Sequence, residues 1–241
     1  MNIQKYATAI FVCAIVLLVL LFAISSFFHI TEIVIDGYQQ VSREEIRGRL
    51  GIGASTNILL FNTRAARGRI MENLYIGGVT FERELPGRLV VTVAERRLTA
   101  YIEHIPGSFL YLDGFGRVLE IRDYMEQPLP LLEGLRFNHF QLGEILEVPD
   151  TAAFNIVVQY AQLLYQHNLI DMVSHIHVAD SSNIRILVNN IEFNVGDSVG
   201  ADEKVRTIAE MLSNMPNPDI MIPGFVDMRT LRTEYIFEIL Q

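Results

Sequence analysis

Val79–Arg97 reads VTFERELPGRLVVTVAERR. Two apolar-rich runs flank Pro86-Gly87, and the stretch closes on Glu95-Arg96-Arg97. Side chains alternate along a strand, so Val79, Phe81 and Leu85 share one side of the first run, while Thr80, Glu82 and Glu84 share the other. Leu89, Val91 and Val93 form the core face of the second run. Proline fixes φ and glycine accepts positive φ, so Pro86-Gly87 suits the turn between them. The stretch is therefore a β-hairpin with one apolar face, and that face needs other elements to cover it.

The preceding residues supply the cover. Ile30–Ile35 reads as a strand ending at the turn signal Asp36-Gly37. Ser42-Arg43-Glu44-Glu45 fits a capping box, in which Ser42 accepts from the Glu45 N–H and the Glu45 carboxylate reaches back. The helix it opens runs over about 43–50 and stops at Gly51. Asn62 or Thr63 caps a second helix through about Asn73, with Ala66, Ile70 and Leu74 on its buried face. Residues 30–97 thus read β-α-α-β-β, with helices on one face of a small sheet. That is an α+β arrangement and not a doubly wound one.

The remainder is strand-rich. Phe109–Leu112 and Arg117–Ile121 flank the tight turn Asp113-Gly114-Phe115-Gly116. Asp150 or Thr151 caps a long helix over about 152–167, whose apolar stripe is Phe154, Val157, Val158, Ala161 and Leu164. Strands are expected at 172–178, 183–188 and 191–195, the last pair turning at Asn189-Asn190. A helix fits 201–214, and two further strands fit 221–228 and 233–240. Charge divides the chain near residue 98. His29–Arg97 holds 10 Arg against 8 acids, net +2, whereas Leu98–Gln241 holds 8 basic and 20 acidic residues, net −12. A boundary there is expected. The second part is too acidic for a nucleic-acid footprint. Arg64, Arg67 and Arg69 read as a solvated helix face.

Ala7–Phe28, ATAIFVCAIVLLVLLFAISSFF, carries no charge. At ~1.5 Å per residue it spans a hydrocarbon core of ~30 Å, and it exceeds the ~7–15-residue apolar core of a cleaved signal. It reads as one uncleaved transmembrane helix. Lys5 and the amino terminus precede it, while Glu32 and Asp36 follow it before the first arginine, Arg43. The N-terminus is expected inside. The single cysteine, Cys13, lies within this helix, so no intrachain disulfide and no cysteine metal site can form.

No catalytic signature emerges. His175-x-His177 places two rings on one side of a strand, but a metal site usually needs three or four ligands. Gly114-x-Gly116 lacks the third glycine and the βα context of a dinucleotide loop. Glu44-Glu45 and Asp202-Glu203 sit at helix starts, where they favour the positive end of the dipole. Gly-x-Ser-x-Gly, Ser-x-x-Lys and His-Glu-x-x-His are absent. No catalytic residue, cofactor or metal is expected.

Ile33-x-Ile35-x-Gly37, Ser42-x-Glu44-Glu45-Ile46, Gly53 and Asn57-Ile58-Leu59-Leu60-Phe61 together resemble the start of a polypeptide-transport-associated (POTRA) domain. Phe81-x-Arg83-x-x-Pro86, Leu89-x-Val91-x-Val93 and Glu95-Arg96 are similar to the hairpin of the bacterial cell-division FtsQ/DivIB family. That family often has proline where Leu98 stands, and a proline before the position of Tyr75-Ile76. Asp113-x-x-Gly116-x-Val118, Leu129-Pro130-x-Leu132-x-Gly134 and Asp227-Met228-Arg229 sit where the family's second domain has similar motifs.

The resemblance implies a cytoplasmic N-terminus at 1–6, a membrane helix at 7–28, a POTRA domain at 29–97 and a β domain at 98–241. It also implies an extracytoplasmic body at the division septum of the cell (inner) membrane. The implied partners are small bitopic coiled-coil proteins of the FtsB/DivIC and FtsL kind, with septal cell-wall synthases as further candidates.

With no active-site signal, the chain is expected to act as a non-enzymatic scaffold. The last strand, Thr233–Leu240, is expected at a sheet edge, where backbone groups await a partner strand. The expected partner-binding residues are Asp227, Arg229, Thr233, Glu234, Tyr235, Phe237 and Glu238. Tyr235 and Phe237 share one face, either as interface anchors or as core. Asp227 and Arg229 form an ion pair or help present the edge. Glu95-Arg96-Arg97 reads as a domain junction or as an ordinary solvated strand end. The rival functional reading is a POTRA-type chaperone or translocation accessory that handles unfolded polypeptide.

Overall fold

The computed structural model describes residues 3–125, 129–214, 223–230 and 235–239. The fold is α+β and divides into two compact units, Met1–Arg96 and Arg97–Gln241.

Helix α1, Ile3–Ala23, is uninterrupted, and Tyr6–Ala23 is long and apolar enough to cross a membrane. It stops short of the expected Phe28. Ser25 takes an extended backbone and Ser26–Phe28 forms a single 3-10 turn. Serine competes for helical backbone groups, which favours a break there. The rings of Phe27 and Phe28 fold back onto Phe22, with centroids 5.7 and 5.3 Å from it.

The rest of the first unit is β1 (Glu32–Asp36), α2 (Arg43–Leu50), α3 (Thr63–Ile70), β2 (Ile76–Glu84) and β3 (Arg88–Glu95). The sheet order is β1-β3-β2, with β1 parallel and β2 antiparallel to β3. Ser42 Oγ accepts the Glu45 N–H at 3.2 Å, and Gly51 closes α2 in the left-handed region at φ 68°. Only this half of the expected capping box forms. The Glu45 carboxylate instead accepts from Arg49 Nε at 3.1 Å and Asn73 Nδ2 at 2.8 Å. A guanidinium is the stronger donor. Asn62 Oδ1 caps α3 through the Ala65 N–H at 3.0 Å. This helix ends before Asn73, because the Asn73 side chain takes the Tyr75 N–H at 2.9 Å and turns the chain.

Ile46, Leu50, Ile58, Ala66, Ile70, Ile76, Leu89 and Val91 are fully buried between helices and sheet. Each large aliphatic among them contributes about 1.5–3 kcal/mol. Leu85 is exposed, contrary to the alternation argument, because β2 ends at Glu84 and Leu85 has entered the turn. Gly87 is needed for a different reason from the expected positive φ. A Cβ there would lie 2.4 Å from the His29 carbonyl oxygen, so only glycine lets the hairpin turn approach the segment that leads into β1.

Glu95 and Arg96 lock the unit from inside. Glu95 Oε1 accepts the N–H groups of Gln39 and Val41 at 2.9 and 3.0 Å, and Oε2 accepts that of Gln40 at 2.8 Å. One carboxylate thereby holds the whole loop between β1 and α2. Arg96 Nη1 donates to the carbonyls of Leu74 and Ile76 at 2.8 and 2.6 Å, which fixes the entry to β2. Arg97 belongs to the second unit, where its guanidinium bonds the Tyr165 hydroxyl. Glu95→Gln turns one acceptor into an amide facing the Gln40 N–H. We expect a loss of about 1–2 kcal/mol, since charge-assisted bonds are the strong ones. Amide hydrogen exchange in residues 29–96 of the full chain should then quicken by about 5–30-fold.

The second unit holds β4 (Leu98–Ile105), β5 (Ser108–Asp113), β6 (Val118–Arg122), β7 (Leu131–Glu133), α4 (Thr151–Gln166), β8 (Val173–Asp180), β9 (Asn183–Val188), β10 (Ile191–Gly196), α5 (Ala201–Ser213), β11 (Gly224–Asp227) and β12 (Phe237–Ile239). They build one nine-stranded sheet in the order β12-β11-β10-β9-β8-β7-β4-β5-β6. Both helices pack on one face, where Phe154, Val157, Tyr160 and Leu164 of α4 join Val205 and Ile208 of α5 in a single core. Asp150 caps α4 through the Ala153 N–H at 2.9 Å. At the start of α5, Lys204 is fully buried, and its Nζ donates to the Val195 carbonyl at 2.7 Å.

Strands β4 and β7 were not anticipated. In β4, Ala100, Tyr101 and Ile102 are all buried. Ala100 and Ile102 face the helices, while Tyr101 joins Phe109 and Tyr111 in a second cluster. A strand covered on both faces shows no alternation. Strand β7 has three residues, too few for a period.

Candidate functional site

Strands β10, β11 and β12 form one end of the large sheet. Strand β11 runs parallel to β10, and β12 pairs antiparallel to β11 through Gly224↔Ile239, Phe225↔Glu238 and Val226↔Phe237. The Gly224 and Met228 N–H groups donate to Asn190 and Asn194 carbonyls on the β10 side, at 3.2 and 2.8 Å. Backbone direction alternates along a strand, so Phe225 presents its N–H and C=O to β12 and exchanges bonds with Glu238. The backbone groups of Phe237 and Ile239 therefore point away from the sheet. Among the described residues, β12 has β11 as its one strand neighbour.

The opposite edge is blunted. At the start of β6, Val118 donates to the Glu144 carbonyl at 2.9 Å and accepts from the Gly143 N–H at 2.7 Å. A short chain segment thus occupies groups that another strand would need.

The expected binding residues fall into three sets. Asp227 ends β11 and pairs with Arg229, whose Nη2 lies 2.6 Å from Asp227 Oδ2. Asp227 Oδ1 also accepts the Arg229 backbone N–H at 3.1 Å, so the pair closes a local turn. The hydrogen bond from Arg229 to Asp227 holds its guanidinium protonated beyond the ordinary range. The pair is surface-exposed, where solvent screening leaves an ion pair little net stability to contribute. Tyr235 is partly buried and packs against the helix-side core. Beside it, Ile236 is 73% exposed at the entry to β12. Phe237 and Glu238 lie in β12. Thr233 and Glu234 lie outside the described residues.

A polar groove crosses the sheet face opposite the helices. Glu133, His175, His177, Arg185, Leu187 and Glu192 line it. Sequence reasoning placed the two histidines on one side but missed their neighbours. Those neighbours are legible only in the pairing, where Glu133 meets His177, His177 meets Arg185, and Leu187 meets Glu192. The one available signal was the alternation of inward Ile176 and Val178 with the histidines. Among the described residues, no three His, Cys, Asp or Glu side chains are placed to hold a metal ion.

Comparison with known proteins agrees with this architecture. Residues 28–96 match the family model described as POTRA domain, FtsQ-type. The cell division protein DivIB of Clostridium botulinum (strain Hall) is 28% identical over 210 residues, covering 86% of this chain and 81% of that protein. DivIB of Clostridium tetani is 24% identical over 187 residues, covering 77% and 70%. The cell division protein FtsQ of Bradyrhizobium diazoefficiens is 29% identical over 113 residues, covering 46% and 33%. Residues 28–96 are thus an FtsQ-type POTRA domain, and most of the chain is similar to DivIB cell-division proteins.

Proposed function

We propose that the chain is a non-enzymatic, single-pass scaffold of the bacterial division complex. Residues 1–6 lie in the cytoplasm, the apolar helix crosses the membrane, and the POTRA domain and the second domain, 98–241, lie outside at the septum. The helix confines the body to the membrane plane, which raises the effective concentration of partners anchored in the same bilayer. The partners are small bitopic coiled-coil proteins of the FtsB/DivIC and FtsL kind, together with septal cell-wall synthases that these proteins gather.

The observation that carries this reading is β12, an edge strand with outward backbone groups at Phe237 and Ile239 in a relative of division proteins. A partner strand added there gains about 0.5–1.5 kcal/mol per hydrogen bond. Specificity then needs side chains. Ile236, and Asp227 with Arg229, stand beside the edge to supply an apolar contact and a charged one.

The test is Ile239→Pro in the full chain. Proline removes the outward N–H at 239 while leaving the Phe225–Glu238 bonds to β11 in place. Capture of the coiled-coil partner should weaken at least about tenfold, the equivalent of ~1.4 kcal/mol. Undiminished capture by a protein with unchanged circular dichroism refutes edge pairing. Equal capture of arbitrary extended peptides by the parent chain favours the polypeptide-handling alternative instead.

A further inference from the structure

Five large apolar side chains lie exposed on three segments that meet where α1 ends. They are Ile24 and Phe27, Leu59 and Leu60, and Leu85 of the hairpin turn. Leu60 is 70% exposed. Soluble surfaces carry scattered apolar residues without consequence, but a cluster pinned in one place calls for an occupant.

The pinning is specific. Asn57 Nδ2 donates to the Ala23 carbonyl at 2.9 Å, satisfying one of the acceptors a helix end leaves open. The other end of the same amide, Asn57 Oδ1, accepts the Leu59 N–H at 2.8 Å and the Leu60 N–H at 3.4 Å. One side chain therefore ties the Leu59-Leu60 turn to the last residue of α1. The Ile58 N–H bonds the Phe28 carbonyl at 2.8 Å, and the Ile30 N–H bonds the Thr56 carbonyl at 2.9 Å. The hairpin turn closes the set, because the Gly87 carbonyl accepts the Thr31 N–H at 2.8 Å. The rim beside Leu85 sets one cation between two carboxylates, with Arg88 lying 3.2 Å from Glu84 and 3.7 Å from Glu32.

We infer that this patch is a bilayer-docking surface, by which residues 28–96 rest on the membrane that α1 crosses. The inference depends on the reading of α1 as a membrane span. Given that span, Ala23 lies at the boundary of the hydrocarbon, and the Leu59-Leu60 turn that Asn57 ties to it shares its depth. The occupant at that depth is phospholipid. Apolar side chains of an interfacial segment bury ~5–10 Å into the headgroup and acyl boundary, and flanking charges stay in water. The rim charges are paired with one another, so docking needs no anionic lipid. The surface would hold the POTRA domain against the bilayer as an oriented platform, where a flexible tether would leave it free to tumble.

The chain contains no tryptophan, so a single introduced one is an unambiguous probe. The full chain is reconstituted in phosphatidylcholine vesicles whose acyl chains are brominated near the headgroup end, or separately near the chain ends. Leu60→Trp should emit at shorter wavelength than in detergent-free denaturant and lose most of its emission to the shallow bromines. Phe115→Trp, exposed in the second unit, serves as the reference for random collision. Ile15→Trp, within α1, should be quenched by the deep bromines. Quenching of Leu60→Trp no greater than that of Phe115→Trp overturns the docking surface. If Ile15→Trp also escapes quenching, the membrane span itself is wrong and the docking surface falls with it. If Ile15→Trp is quenched, only the docking surface falls.

Discussion

Lys204→Ala should destabilise the second unit by about 2–4 kcal/mol while leaving the first unit unchanged. Lys204 is fully buried near the N-terminus of α5, an unusual place for an ammonium. Its Nζ donates to the Val195 carbonyl at 2.7 Å and to the Asp197 carbonyl at 3.4 Å, and lies 3.6 Å from the Asp197 carboxylate. Burial lowers the pKa of the ammonium, and Asp197 works against that shift. The same loop is held from the other side by Tyr160, whose hydroxyl donates to the Asp197 carbonyl at 2.7 Å. Burial, aided by the Asp197 charge, pushes the Tyr160 phenol well above its ordinary range, so it stays a donor.

Truncation at Lys204 removes methylenes worth ~0.8 kcal/mol each and an acceptor's charged partner worth ~1.5–3 kcal/mol. Recovering the ammonium's hydration in the unfolded comparison offsets part of this. Lys204→Met separates the contributions. It keeps the stem's packing and drops the charge, but leaves the Val195 carbonyl without that donor, so the expected loss is smaller, about 1–2 kcal/mol. Hydrogen exchange on the full chain provides the measurement. The slowest amides of residues 97–241 should exchange about 30–1,000-fold faster in Lys204→Ala. Exchange at the parent rate would show that the lysine is not bearing the β10–α5 connection.

Gly37→Ala should have a comparable effect on the first unit, about 2–5 kcal/mol. Gly37 has φ +83°, a region that costs residues with a Cβ ~1–2 kcal/mol. A Cβ built there would also lie 2.1 Å from the Val93 carbonyl oxygen, and Val93 belongs to the central strand β3. Backbone in the middle of a sheet cannot swing aside as a side chain can. Forcing such a shift adds ~1–3 kcal/mol. Against a domain stability of ~5–15 kcal/mol, that is a large fraction. Gly48→Ala is the matched control. Gly48 sits inside α2 with open space around the missing Cβ, so alanine should stabilise by ~0.5–1 kcal/mol. Thermal unfolding of the full chain, with exchange in residues 29–96 to locate the change, distinguishes the two. A Gly37→Ala protein as stable as the parent would refute the argument.

The POTRA hairpin, the helix caps at Ser42, Asn62 and Asp150, and the apolar stripe of α4 were all legible in the sequence. Each depends on residues within about one or two turns or strand repeats of one another, so spacing alone carries the signal. The apolar N-terminal run was legible for the same reason. The purposes of Glu95, Arg96 and Gly87 were not. Glu95 meets its three N–H partners 54–56 residues earlier in the chain, and Gly87 is required by a carbonyl at His29. No local pattern announces such meetings. Strand β4 was hidden because burial on both faces erases alternation, and β7 because it is too short to have a period.

For the candidate site, the chain foretold a late strand with aromatic and charged neighbours. The edge was an expectation of the sequence; among the described residues sheet order gives that strand one neighbour, and pairing with β11 assigned which backbone groups face outward. Local periodicity is written in consecutive side chains. Edges, close approaches and long-range locks arise only when distant segments compete for the same space and the same hydrogen bonds, and that competition is resolved in the folded molecule.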